Sequence, residues 1–295
     1  MLFRSWKTDI QKLTELKIRQ KKIYDSNLTL VEKIYWLIQD CKRYGTLPFA
    51  GLARAGFIAV QFLQSLVNKD ILSTEDYDLF MSSLNTVNMT MKNDIKLGKI
   101  EFLKKYGHLR PGTYDIRVPR YDECPELYFE FNDIEKKTNK TKSRAFSLKS
   151  SQKKMINKLL IDNNFNHDYK SIFQFIKQAI EGREYAKFIF TKSLSDALKL
   201  LKEIGTKYKL SEDDLSFLDI SVINQLYSSS LDEKNTFSNS VKFGKKMYEQ
   251  TRLITLPSII TSKEEIFSFE LSSSQPSFIT QKVIQGFIEM EGNKK

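Results

Sequence analysis

The run Tyr106 to Pro125, YGHLRPGTYDIRVPRYDECP, concentrates the side chains of this chain best suited to chemistry. It holds His108, Arg110, Arg117 and Arg120 beside Asp115 and Asp122, in a segment broken by glycine and proline. Guanidinium forks fit phosphate or carboxylate oxygens, and a nearby imidazole can move a proton close to neutral pH. Two readings are open at this level. In one, Asp115 and Asp122 pair with the arginines and lock the loop between helices. In the other, His108, Arg110 and Arg120 contact an anionic ligand. The spacing matches no self-sufficient catalytic motif, so no residue here is assigned a catalytic role.

Two further places carry charge in informative surroundings. Arg54 sits among small apolar residues in LPFAGLARAGF, where an unpaired buried charge would be costly. It is expected to pair with an acid or to line a polar cavity. Arg183 and Lys187 in EGREYAKF lie one helical turn apart and are weaker candidates for anion contact, the alternative being solvated helix charge.

The elements that must hold these groups read as helices. Ile10, Leu13, Leu16, Ile18 and Ile23 define an apolar stripe from Trp6 to Tyr24, and Val31, Ile34, Tyr35 and Ile38 a second from Leu28 to Arg43. Pro48 opens a third helix through Val67, whose small residues allow close backbone approach. STED at Ser73 and SEDD at Ser211 are helix starts, since the serine can cap free amides and acids suit the N-terminal dipole. The first of these helices is expected to continue to about Lys96, with a short one from Ile100 to Lys105. Further helices are expected at Gln152–Asp162, Tyr169–Gly205 and Leu231–Arg252. Residues 132–151 are polar, basic and poorly periodic, and read as a flexible connection. After Pro257, Phe278, Ile279, Val283 and Ile284 favour a small β element. The expected class is therefore mainly α: a multi-helix domain over 6–256 with a long charged loop, then a junction over 257–295. The first five residues, MLFRS, match the translation of a sequencing-adapter end and are expected to be a non-native start.

Composition narrows the function classes. The 295 residues carry a formal charge of +11, which calls for an anionic partner or an acidic neighbour, although the lysines are scattered along helices. Two isolated cysteines and two histidines give no zinc pattern, so no metal site is expected, and the cysteine usage suits a reducing cytoplasm. No membrane span is expected, because the longest apolar stretch, Ala55–Val67, is interrupted by Gln61, Gln64 and Ser65. A phosphate-binding GxxxxGK[ST] loop, a GxGxxG turn and a GxSxG elbow are all absent. Most aromatic residues fall at core spacing and no nucleic-acid module is recognisable, so nucleic acid is not the expected partner.

Taken in order, LPFAGLARAGFIA, FLKKYGHLRPGTYDIRVPRYDE, REYAKFIFTKSLSDAL and PSFITQKV resemble the middle of phosphoenolpyruvate synthase-like proteins. This family of multidomain phosphotransferases includes the rifampin phosphotransferase type. Its members have a YGHRGP-E-D-PRW run similar to the loop, whereas this chain has Leu109 before Arg110, and Thr113-Tyr114 where a glutamate is frequent. The resemblance implies a helical central region between an ATP-grasp domain and a swivelling phosphohistidine domain, with ATP and Mg²⁺ acting in the parent protein and none bound by this region itself. It implies a small-molecule phosphoryl acceptor whose pocket His108, Arg110 and Arg120 line, with Arg54, Arg183 and Lys187 as weaker contacts. The region alone is expected to be inactive. His167, in NNFNHDYKS, does not match the TxxGGxxSH-like phosphohistidine motif. The competing reading is a non-catalytic basic helical module that binds nucleic acid or an acidic protein.

Overall fold

A computed structural model describes residues 2–131, 145–257 and 259–268. Its described part is mainly helical and divides into two compact units, Met1–Lys245 and Lys246–Lys295. The expected β element, the PSFITQKV block and most of the expected flexible connection lie outside the described residues.

The first unit is organised along one helix of 40 residues, α8 (Tyr169–Tyr208), about 60 Å long at 1.5 Å per residue. Asp168 caps its start by accepting from the Ser171 amide at 2.9 Å. Its end is set by Lys209 in the left-handed region, which lets the Leu210 amide return to the Gly205 carbonyl at 2.9 Å. The remaining helices of the described residues pack on this rod or on one another. They are α1 (Leu2–Tyr24), α2 (Leu30–Asp40), α3 (Leu47–Asn68), α4 (Thr74–Ser82), α5 (Val87–Asp94), α6 (Lys99–Tyr106), α7 (Ser150–Asp162), α9 (Glu212–Ser216), α10 (Ser221–Ser228) and α11 (Glu233–Thr251).

Three apolar regions follow one another along α8. Its N-terminal half packs Ile172, Ile176 and Ala179 with Ala59 and Leu63 of α3, Phe80 of α4 and Ile156 of α7. Its middle packs Ala186 and Phe190 against Leu13 and Leu16 of α1 and Leu52 of α3. Its C-terminal half packs Leu200, Leu201 and Ile204 with Ile34 and Leu37 of α2, Val222 and Ile223 of α10, and Phe237 of α11. Ile116, from the charged loop, joins this last region. In α1 the buried stripe runs Leu13, Leu16, Gln20 and Ile23, while Ile18 is exposed. A step of 100° per residue turns position 18 away from that face.

Two boundaries differ from the sequence pattern. The second and third helices do not separate before Pro48, because a π-helical turn over Cys41–Thr46 carries the chain from α2 into α3 without a break. Gly45 makes this possible: a Cβ there would stand 2.6 Å from Phe190 Cβ, so only glycine allows the turn to lie against α8. The single helix expected from Ser73 to Lys96 is two. The chain leaves α4 at Ser83, buries Leu84, and restarts where the Thr86 hydroxyl accepts from the Met89 amide. The Asn85 amide donates to Glu181 of α8 at 2.7 Å, which pins the break.

Among the described residues, the run Leu30–Asn68 is long and apolar enough, by length and composition, to cross a membrane. Part of that apolar surface is used inside the protein, since Leu52, Ala55, Ala59, Leu63 and Leu66 of α3 are buried.

Candidate functional site

The charged loop leaves α6 and closes on itself at once. The Tyr121 amide donates to the Leu109 carbonyl at 2.8 Å and the Asp122 amide to the Gly107 carbonyl at 3.1 Å. The residues between form a compact Ω-type loop whose ends are held together. Gly107 is required at this neck: a Cβ there would collide with the Leu103 carbonyl and reach Asp122 Cβ at 2.8 Å.

Arg120 fastens the neck to α8. Its guanidinium is 4% exposed and bonds both oxygens of Asp122, through Nε at 2.9 Å and Nη2 at 2.7 Å. Nη1 bonds Asp196 of α8 at 2.8 Å, and Asp196 is itself 2% exposed. Lys192 Nζ takes the second Asp196 oxygen at 2.6 Å. Burial opposes the charge on Arg120, but these carboxylates outweigh it and hold the guanidinium pKa above its ordinary value. Asp115 plays a different part. It pairs with Arg117 through Nε and Nη2, both at 3.0 Å, on the outer side of the loop.

Arg110 fills the loop from within. Nη1 donates to the carbonyls of Asp115 and Val118, both at 3.1 Å, and Nη2 to Ser195 Oγ at 3.3 Å. Ser195 Oγ in turn donates to the His108 carbonyl at 2.6 Å. Arg110 is as buried as Arg120, yet no carboxylate bonds it, and its Nε has no hydrogen-bond partner. Burial accordingly lowers its pKa, with Glu123 the strongest opposing charge. This guanidinium therefore carries a positive charge that its direct contacts do not neutralise.

His108 is 5% exposed and lies against Phe188, with ring centroids 4.8 Å apart. Since a carbonyl only accepts, Nε2–H donates to the Phe188 oxygen at 3.3 Å, and Nδ1 is left as an acceptor in the neutral ring. Burial first, then the Lys192 charge, pushes its pKa down to about 4. The imidazole is thus neutral near pH 7 and is not poised to exchange protons there, contrary to the expectation from its type alone.

A cleft of about 200 Å³ opens beside these groups. It is lined by His108, Arg110, Thr113, Glu184, Lys187 and Thr191, among others. Of the sequence candidates, His108, Arg110 and Lys187 meet here. Arg120 lies outside this lining, with its guanidinium bonded to Asp122 and Asp196. Among the described residues Arg54 has no acid within ion-pair distance, and it lines neither this cleft nor the larger cavity described below. It is exposed on the outer side of α3, where its Nε donates to the Ala50 carbonyl one turn earlier at 3.2 Å. Arg183 places its guanidinium 5.1 Å from the centre of the Phe57 ring, away from the cleft.

Thr191, Ser195 and Asp196 are the site residues that sequence reasoning missed. Their signal was available: they are polar residues on the buried face of an apolar helix, where each demands a partner. Cys41 is no nucleophile, as burial pushes its thiol up to about 12. Among the described residues no group of three His, Cys, Asp or Glu side chains could hold a metal ion. No protein-family model, curated protein or solved structure matches the chain.

Two outcomes follow from this geometry. Asp196→Asn removes a buried charge facing Arg120 and is expected to destabilise the protein by about 3 kcal/mol in urea unfolding. Asp122→Asn, at a partly exposed pair, is expected to cost only about 1 kcal/mol, and equal effects would mean that Asp196 is not the anchor. The second concerns pH. The unfolded chain binds a proton at His108 near pH 6.5 while the folded chain does so only near pH 4. The contribution of neutral His108 is therefore complete above pH 6.5 and is lost as pH falls toward 4. Between pH 6.5 and 5, above the ordinary carboxylate range, His108→Gln should flatten the decline in melting temperature.

Proposed function

We propose that this chain is the helical central region of a phosphoenolpyruvate synthase-like phosphotransferase, and that the cleft beside His108 receives the acidic part of a small phosphoryl acceptor. The resemblance of the ordered sequence blocks supports the family. One observation carries the binding role: Arg110 is a buried cation without a carboxylate partner, beside a cleft that also holds Lys187. Lys187 has no carboxylate within ion-pair distance among the described residues. A phosphate or carboxylate entering the cleft would meet the buried Arg110 on its inner side and the exposed Lys187 at its rim. Glu184, the one acid in the lining, disfavours a highly charged anion and suits a monoanionic group or one that brings a hydroxyl.

In this reading His108 is a neutral wall residue that orients the acceptor, and the phosphate-carrying histidine belongs to a separate swivelling domain. ATP and Mg²⁺ act at an ATP-grasp domain, and this region positions the acceptor and the loop that frames it. Transfer of this kind depends chiefly on positioning and charge stabilisation, which a rigid loop held by Arg120 would provide.

Titration calorimetry with pyruvate and with inorganic phosphate tests the cleft. Lys187→Gln should weaken binding of at least one probe roughly fivefold and leave the melting temperature unchanged, because Lys187 is exposed. Unchanged affinity for both would remove the cleft from the account. The family is tested separately by the neighbouring coding sequence. An ATP-grasp region before this one and a phosphohistidine motif after it are expected, and the absence of both would overturn the assignment.

A further inference from the structure

A second, larger cavity of about 840 Å³ lies on the other side of the His108–Phe188 pair, between α1, α6 and α8. Its lining differs in chemistry from that of the cleft. Lys17 and Lys21 come from α1, Lys104 and Lys105 from α6, and Lys192 from α8, against one carboxylate, Asp25. Lys105 and Lys192 are already paired, with Asp94 and Asp196, both at 2.6 Å. Lys17, Lys21 and Lys104 are exposed and have no carboxylate within ion-pair distance among the described residues. Two helices, α1 and α6, thus bring unpaired ammonium groups to one concavity, where their summed field favours an anion.

The same cavity presents flat apolar surface. Tyr24 and Tyr185 line it with half and two-fifths of their area exposed, and Phe188 and Ile189 form part of its wall. Lys192 Nζ stands 5.8 Å from the centre of the Tyr24 ring, so a cation already lies beside that ring. Lysines recognise phosphates as mobile point charges, whereas a tyrosine face accepts a planar ring. The volume falls in the range of small-ligand pockets, roughly 300–1,000 Å³. A phosphate-rich ligand without a ring would leave the tyrosines unused, and an apolar ligand would leave the lysines unused.

We propose that this cavity binds a nucleotide-class ligand: a planar heterocycle laid on Tyr185 or Tyr24, with its phosphates held by Lys17, Lys21 and Lys104. The site is distinct from the acceptor cleft and does not depend on the phosphotransferase reading. The His108–Phe188 pair is the wall that the two cavities share.

Fluorescence titration of the chain with ADP tests this, with pyrophosphate and a uridine oligonucleotide in parallel. One ADP should bind per chain, more weakly as salt rises. The Lys17→Gln/Lys21→Gln/Lys104→Gln variant should lose at least tenfold in ADP affinity at an unchanged melting temperature. Tyr24→Ala/Tyr185→Ala should weaken ADP but not pyrophosphate. Should the lysine variant melt early, each single Lys→Gln substitution is read instead, and a loss in at least two is required. Saturable ADP binding that ignores the lysines would overturn the site, as would no binding of ADP at millimolar concentration. Tight binding of the oligonucleotide without ADP binding would overturn the small-ligand assignment in favour of a polynucleotide surface.

Discussion

The ion pair between Arg120 and Asp196 is the contact on which the arrangement of this protein depends. Both side chains are almost wholly withdrawn from water. Such a pair is weak evidence for net stability, because desolvation of two charges offsets most of their attraction. Its value is positional. A buried guanidinium has few alternatives to the carboxylates that face it, so the loop neck is held at one place on α8. With the neck held, Ile116 enters the apolar region around the end of α8, and Arg110 finds the carbonyls of Asp115 and Val118. His108 is then trapped against Phe188.

The two loop arginines divide the work that their sequence neighbourhood leaves ambiguous. Arg120 is saturated by carboxylates and is a fastening. Arg110 bonds two carbonyls and a hydroxyl, which shape the loop without cancelling its charge. A loop of this kind presents a positive field at fixed geometry, and this is the property a small acidic acceptor would use. The shared wall of His108 and Phe188 also places two chemically different cavities back to back along α8, one small and hydroxyl-lined, the other broad and lined by lysines and tyrosines.

Much of the fold was legible because helix periodicity and caps are local signals. The stripe through Leu13 and Leu16, the caps at Ser73 and Ser211, and the extent of α8 all follow from neighbours within a few residues. The π-helical turn at Cys41–Thr46 was not legible, since it depends on Gly45 meeting Phe190 far along the chain. The break before Thr86 depends in part on Glu181 for the same reason. At the site, the charged loop was conspicuous from composition, but which acid takes which arginine was not. Asp122 lies two residues from Arg120 and could be guessed, whereas Asp196 lies 76 residues away. Arg54 shows the opposite error, in which an apolar neighbourhood in sequence suggested burial and the helix turned that position outward.

Amide hydrogen exchange at Tyr121 and Asp122 reports whether the loop is a rigid part of the α8 framework. Both amides donate to carbonyls across the neck, and a fastened neck opens only with the surrounding core. Protection of these two amides is expected to be close to that of Ile189 and Phe190 in the middle of α8, and to be lost in Arg120→Ala. Exchange at the rate of an exposed loop in the unaltered protein would contradict that expectation.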